Sequence, residues 1–338
     1  MKTLRVGVIG LGFIGNLHAR ILSEIPNAEL ICVSDIQAEI SKSYASKINC
    51  QGYTDYQEMI EKNQLDAVTI TLPDQFHEEA AVFCLEKGVN VLLEKPIAPT
   101  LDAAERILEA AKKHGTRLMV AQILHFDPRY AQLQESIRRG ELGNITHMFF
   151  KRTNPRANAQ RVNGQASVMY YIGVHDFEML CSYSSSKATK VYCKKVQKIN
   201  AHIPSEDSVF AMIDFEDGSV GVVELCWALP NNDMLGINTY AEVVGSLGAG
   251  YVEIQNQGLS IITPEKVVYP DILHWPEYNG QILGDLKEEL SHFVTSIIKG
   301  QPFLVDNNHA LQAAAIIDAC FESIESGNPC EIKVPKKF

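Results

Sequence analysis

The sequence predicts two domains in series: an α/β domain whose parallel sheet is covered by helices on both faces, then an α+β domain on a large, mostly antiparallel open sheet. Three observations point there. From residue 4 to about 122, short Val/Ile/Leu runs alternate with helical patterns at the spacing of strand-helix units. A Gly-x-Gly-x-x-Gly run, Gly10-Leu11-Gly12-Phe13-Ile14-Gly15, lies between the first strand and the first helix. Past Phe126-Asp127-Pro128 the strand candidates lengthen and tend to alternate apolar with polar residues, as in a sheet with one wet face. The boundary falls near residue 123, giving domains 1–122 and 123–338, and 338 residues suit two domains of roughly 100 to 200 residues each.

In the first domain, Arg5–Ile9, Leu30–Ser34, Ala67–Thr71, Val89–Leu93 and Leu118–Ala121 read as strands. His18–Ser23, Ile36–Ile48, Tyr56–Lys62, His77–Lys87 and Leu101–His114 read as the intervening helices. Gly88 and Gly115 follow two of them, where a left-handed cap favours glycine. In the second domain a helix at Arg129–Arg139 stops at Gly140. Strands follow at Ile145–Arg152, Lys190–Lys198, Ser208–Phe215, Ser219–Trp227, Tyr240–Gly245, Tyr251–Gln255 and Leu259–Thr263, with a helix carrying His175 and a hairpin turn at Asp217-Gly218. Helices at Gly284–Lys299 and Asn308–Ser326 close the chain.

Composition excludes several functions. Thirty Lys plus Arg against forty-one Asp plus Glu leave a net charge of -11, so counterion release has no global source and nucleic acid and anionic membranes are set aside as partners. The eight cysteines are scattered without metal-ligand spacing or a secreted disulfide framework. They read as buried thiols in a reducing compartment, with no metal site. Lys2 and Arg5 before an apolar run imitate a signal peptide, but Gly7, Gly10, Gly12 and Gly15 would break its helix. No stretch approaches the roughly 20 apolar residues of a membrane span. The expectation is a soluble, cytoplasmic protein.

Strand, glycine loop and helix together define a Rossmann-type dinucleotide site. Gly10 permits the tight turn, Gly12 lets backbone amides reach a pyrophosphate, and Gly15 lets helix and strand approach; Phe13 and Ile14 open the helix whose N-terminus faces the phosphates. Asp35, about 20 residues on, is placed to accept from both ribose hydroxyls and to repel a 2′-phosphate, which favours NAD over NADP. Two other readings stay open: Ser34 would accommodate a phosphate, and Asp35 would equally cap the next helix. Ligands of an open α/β sheet bind beyond the carboxyl ends of its strands. Two segments end there, Thr71-Leu72-Pro73-Asp74 and Glu94-Lys95-Pro96, and the second delivers the Lys95 ammonium beside the nicotinamide half of the cofactor.

These pieces, with Thr71-Leu72-Pro73 followed by His77, the run Glu86-Lys87-Gly88 to Val91, His125-Phe126-Asp127-Pro128-Arg129-Tyr130 and Gly173-Val174-His175-Asp176, resemble the glucose-fructose oxidoreductase / inositol 2-dehydrogenase / rhizopine-catabolism (Gfo/Idh/MocA) family. The resemblance runs nearly end to end. It implies an NAD(P)-dependent oxidoreductase moving a hydride between nicotinamide and a ring hydroxyl carbon of a sugar or sugar derivative, with an inositol as the alternative substrate. It implies cofactor contacts at the glycine loop, Thr71, Leu72, Pro73, His77, Glu94 and Lys95. Lys95 and His175 would converge on the reacting hydroxyl, His175 as acid/base and Lys95 stabilising developing alkoxide charge. Homodimers or homotetramers, formed through the open face of the second sheet, are also implied. The rival of another class is a non-catalytic dinucleotide or sugar sensor, against which retention of both Lys95 and His175 argues.

Two departures bear on substrate. Many members carry Asp four residues before the histidine, where this sequence has Tyr171; a phenol donates to a hydroxyl and stacks on a sugar but lacks the carboxylate charge. Tyr171 is thus a candidate catalytic and substrate residue, or a core aromatic. His125 stands where Arg is frequent and is a candidate cofactor or substrate contact. Between Glu141 and Asp176 no acid occurs, while Lys151, Arg152, Arg156 and Arg161 all do. Arg152 and Arg156 would then grip an anionic nucleotide sugar, sugar phosphate or uronate, or the stretch is solvated surface. Trp275 is a substrate contact or a packing residue.

Overall fold

The computed structural model describes residues 3–231, 237–254, 257–333, 335 and 338. It divides into two compact units, the first containing residues up to Phe126 together with Leu273–Asn308 and Phe338, the second Asp127–Ile272 and His309–Pro335.

The first unit alternates β1 (Leu4–Ile9), α1 (Phe13–Glu24), β2 (Ala28–Ser34), α2 (Ala38–Ile48), β3 (Gln51–Tyr53), α3 (Tyr56–Lys62), β4 (Ala67–Ile70), α4 (His77–Glu86), β5 (Asn90–Leu93), α5 (Leu101–His114) and β6 (Leu118–Val120). All six strands pair in parallel in the order β3-β2-β1-β4-β5-β6. That is the Rossmann order, and its winding reverses between β1 and β4, so the loops after these two strands flank the ligand crevice. The strands are apolar on both faces, as burial under two helical layers requires: Val6, Val8, Val68, Ile70, Val91 and Leu92 are fully buried. Thr100 caps α5 by accepting from Ala103 N–H at 3.3 Å, and Gly115 closes it at φ 65°. The sequence reading had no β3, whose three residues are too few and too polar for a strand signal.

The second unit contains α6 (Pro128–Arg138), β7 (Ile145–Pro155), α7 (Arg156–Val162), α8 (Val174–Tyr183), β8 (Ala188–Val196), β9 (Ser208–Phe215), β10 (Val220–Leu229), β11 (Asn238–Gly245) and β12 (Ala249–Ile254). Its seven-stranded sheet runs β12-β11-β7-β10-β9-β8, ending on the short strand Cys330–Glu331. Among the described residues only β7 and β10 of this sheet pair in parallel. Strand β9 alternates as expected: Val209, Ala211, Ile213 and Phe215 point inward, while Phe210 and Met212 are exposed. On the inner face α8 packs closely, since a Cβ on Gly221 would stand 2.5 Å from Leu180 Cδ1. Asp217-Gly218 makes the expected turn, with Gly218 at φ 85°.

Helix α9 (Asp285–Lys299) returns to the first unit, whereas most of α10 (Asn307–Ser326) lies in the second. A single boundary near 123 therefore does not describe the division. The cause is the apolar stripe Leu286, Leu290, Phe293 and Val294, which completes the core around Leu11, Leu22 and Ile25. The strand expected at Leu259–Thr263 shrinks to Ile261–Ile262, paired with Val267–Val268. Gln255, the end of the strand expected from Tyr251, lies outside the described residues. All eight cysteines are free thiols, and burial pushes Cys32 and Cys84 up to about 12. Among the described residues no helix is long and apolar enough to cross a membrane, and no group of three or more ionisable side chains is arranged to hold a metal.

Candidate functional site

The glycine loop is shaped by contacts that leave no room for side chains at two of its three glycines. Gly10 sits at φ +91°, and a Cβ on Gly15 would stand 2.1 Å from Gly10 O and 2.5 Å from Thr71 Oγ1. At Gly12 a Cβ would meet nothing within 4 Å. Gly12 is also the N-cap of α1, with no side-chain cap and no acid in the first turn. The first amides of α1 are therefore left for an external anion, which the helix dipole favours. Asp35 follows β2 half-buried; its Oδ2 accepts from Leu11 N–H at 3.0 Å and its Oδ1 from Gln37 N–H at 2.9 Å, tying the acid to the glycine loop. Open space at Gly12, an uncapped helix end and an acid at the close of β2 fit a dinucleotide.

These observations give two substitutions opposite expected signatures. Gly15→Ala forces backbone to move, so it is expected to lower thermal stability and NADH affinity together. Gly12→Ala meets no protein atom, so its melting temperature stays near wild type while NADH affinity falls by roughly tenfold, about 1.4 kcal/mol. A Gly12→Ala protein that binds NADH as wild type does would remove the phosphates from this turn.

The other expected cofactor residues separate into contacts and braces. Thr71 is 7% exposed, and its hydroxyl lies 2.7 Å from Gly10 O and 3.1 Å from Ile9 O, fixing the loop from behind. His77 is 1% exposed, with Nδ1 2.8 Å from Pro96 O and Nε2 2.8 Å from Leu72 O. The ring thus ties the turn after β4 to the turn after β5. Both side chains hold the crevice wall together, whereas Leu72 is half-buried and Pro73 exposed at its rim. Phe13 is exposed and meets the Trp275 ring edge-on at 5.7 Å, so Trp275 packs beside the dinucleotide loop. Lys95, half-buried, follows Glu94, whose Oε2 accepts from Lys95 N–H at 3.0 Å. Burial pushes the Glu94 carboxyl up, but His18 and Lys95 outweigh it and hold it below its usual range. His125 is buried in the turn Ile123–His125.

In the second unit, His175 lies half-buried in the first turn of α8. Its neighbour Asp176 is fully buried and accepts from Arg152 Nε at 2.7 Å and Nη2 at 3.0 Å. Burial pushes the Asp176 carboxyl up while the paired guanidinium pulls it down, and Arg152 itself stays firmly protonated. Arg152, expected to grip substrate, is 6% exposed and committed to this pair, which ties the start of α8 to β7. Gly173 seats the same turn on β10, because a Cβ there would stand 2.2 Å from Leu225 Cδ1. Tyr171 lies in the π-helical turn before α8, half-buried, 5.8 Å from the Trp227 ring, and its hydroxyl accepts from Arg161 Nη2. Lys151 pairs with Glu224 at 3.2 Å. Among the described residues Arg156 and Arg161 have no carboxylate partner; Arg156 Nε donates weakly to Leu229 O at 3.4 Å.

Sequence reasoning missed His18 and Glu289, both 0% exposed. A helical wheel flags the second, since Glu289 falls on the stripe formed by Leu286, Leu290 and Phe293.

Parallel sheet, glycine loop and terminal acid define the first unit as a Rossmann dinucleotide-binding domain. Residues 4–122 match the family model described as an oxidoreductase family with an NAD-binding Rossmann fold, and 130–250 match the GFO/IDH/MocA C-terminal domain. The chain belongs to the Gfo/Idh/MocA family and is an NAD-dependent oxidoreductase. It is 26% identical to the uncharacterized oxidoreductase YrbE of Bacillus subtilis, covering 100% of this chain and 99% of that one. It is 24% identical to scyllo-inositol 2-dehydrogenase (NAD(+)) of the same organism, covering 99% and 98%. The scyllo-inositol dehydrogenase of Lactobacillus casei, solved with NAD(H) and scyllo-inositol, shares the fold at TM-score 0.84 and 18% identity over 98% of this chain and 99% of that one.

Proposed function

We propose that this protein oxidises a ring hydroxyl of a cyclic polyol, an inositol or a sugar of similar shape, with NAD. The dinucleotide would be held by the amides at Gly12 and the start of α1, by Asp35 at a ribose, and by the turns ending at Pro73 and Lys95. When bound, it supplies the hydride acceptor. His175 would take the hydroxyl proton as that bond breaks, an imidazole being suited to proton exchange near neutral pH. Lys95 would stabilise the developing alkoxide. The observation that carries this reading is the anchoring of the His175 turn by the buried Arg152–Asp176 pair, which fixes a half-buried imidazole on a rigid element. The naming of full-length relatives as inositol 2-dehydrogenases supports the substrate class.

A second reading is favoured by Tyr171, Arg156 and Arg161. A phenol held by an arginine, with a second arginine on the same short helix α7 and neither paired to a carboxylate among the described residues, suits a uronate, a sugar phosphate or a nucleotide sugar. NAD reduction across myo-inositol, scyllo-inositol, free sugars, uronates, sugar phosphates and nucleotide sugars separates the two. Arg156→Ala with Arg161→Ala is expected to raise KM about tenfold for an anionic substrate and to leave that of a neutral polyol in place. An equal response of both substrates removes the anion reading. Exposed Phe210, Met212 and Tyr251 on the outer sheet face support a homodimer or homotetramer formed there, and the eight free thiols support a cytoplasmic setting.

A further inference from the structure

We propose that Glu289, fully buried on α9 with neither carboxyl oxygen hydrogen-bonded among the described residues, is a positioning residue for the Glu94-Lys95 turn. This rests on the reading of Lys95 as a catalytic residue. Glu289 is 0% exposed, and neither of its carboxyl oxygens has a hydrogen-bond partner among the described residues. Glu94 divides its carboxylate between two neighbours: Oε2 accepts from Lys95 N–H at 3.0 Å, and Oε1 stands 3.4 Å from Nε2 of the fully buried His18.

The charges around Glu289 decide its state. Glu94 and Lys95 come from the turn after β5, and His18 comes from α1. His125 comes from the turn packed on α9, and Asp285, itself paired with His274 at 2.8 Å, begins α9. Farther along that helix, Lys287 lies 4.0 Å from Glu24, and His292 accepts from Leu304 N–H at 3.0 Å. Lys95 and His18 favour the charge on Glu94, and His274 answers Asp285. Among the described residues Glu289 is left without a cation of its own. Burial, then the charges of Glu94 and Asp285, push its carboxyl far above the usual range. A second charge in this dry space would repel Glu94, weaken its hold on the Lys95 amide and displace the Lys95 side chain. The proton on Glu289 thus keeps the turn in place, and the folded chain retains it at pH values where the unfolded chain has already lost it.

The test combines an infrared titration, the pH dependence of NADH affinity by fluorescence, and the pH dependence of NAD-linked kcat. Wild type should show at neutral pH a protonated-carboxyl stretch that Glu289→Gln removes. Wild-type kcat and NADH affinity should both fall on an alkaline limb as Glu289 ionises. In Glu289→Gln, a neutral isostere, that limb should move up by about one pH unit or more, each profile being normalised to its own maximum. Glu289→Leu, which like Gln brings no charge into this space, should move the limb in the same direction, so that a shift in both variants follows the lost charge. Superimposable alkaline limbs in wild type and Glu289→Gln overturn the proposal, as does a wild-type spectrum lacking the protonated stretch. Full turnover by Lys95→Ala would instead sink the catalytic reading of Lys95, and the NADH profiles then decide the role of Glu289 alone. Should the Leu variant not fold, the Gln comparison still gives the answer.

Discussion

His175→Ala is expected to lose about a hundredfold to ten-thousandfold in kcat while binding NADH as wild type does, the range that a positioned general base contributes. The two readouts separate because the residues belong to different parts of the fold. The glycine loop, Asp35 and the Lys95 turn lie in the first unit, and His175 lies on α8 of the second. Its removal would delete the proposed proton acceptor and leave the amides of α1 and the brace formed by Thr71 and His77 in place. His175→Asn should be nearly as slow, because an amide keeps a polar group there but cannot take up the proton. Tyr171→Phe should cost much less, since the Tyr171 hydroxyl already accepts from Arg161 and its ring packs near Trp227. Single-turnover NADH formation, with fluorescence titration of NADH in the same samples, measures both quantities. A loss below tenfold in His175→Ala would place the base elsewhere.

How much of this was legible in the sequence depends on how far apart the partners lie along the chain. The Rossmann half was legible because all but one of its strands and helices announce themselves over three to fourteen residues, and the glycine loop marks which strand comes first. Strand β3 was not, because Gln51-Gly52-Tyr53 holds its place by pairing with Cys32, Val33 and Ser34 rather than by its own pattern. The return of α9 was hidden for a related reason. Its stripe predicts a buried face, but a stripe does not say which core it completes. In the site, motifs located residues without assigning their atoms. Thr71 and His77 stand where the family pattern puts cofactor residues, yet their polar atoms face Gly10, Leu72 and Pro96. The acid-free stretch misled in one respect: the partner of Arg152 is Asp176, the first acid after the gap, brought back to β7 by the fold of α8.

That pair gives the largest stability effect. Arg152→Ala should cost about 3–5 kcal/mol, because it leaves the Asp176 carboxyl buried without its cation. Side chains of Arg152 and Asp176 are 7% and 0% exposed, so solvent cannot take over the lost bonds. Replacing both by apolar residues of similar volume, Arg152→Met with Asp176→Leu, should recover most of the loss, since the uncompensated charge disappears along with its partner. Activity should not recover with it: two apolar side chains pack but do not fix the first turn of α8 by paired hydrogen bonds, so the imidazole next in sequence loses its alignment. Urea denaturation can report on the second unit alone, because Trp227 is buried there and Trp275 belongs to the first. In a Trp275→Phe background the fluorescence transition follows Trp227. A cost below about 1 kcal/mol for Arg152→Ala would make the pair energetically idle. A double variant with wild-type kcat would show that the pair stabilises the fold without aligning His175.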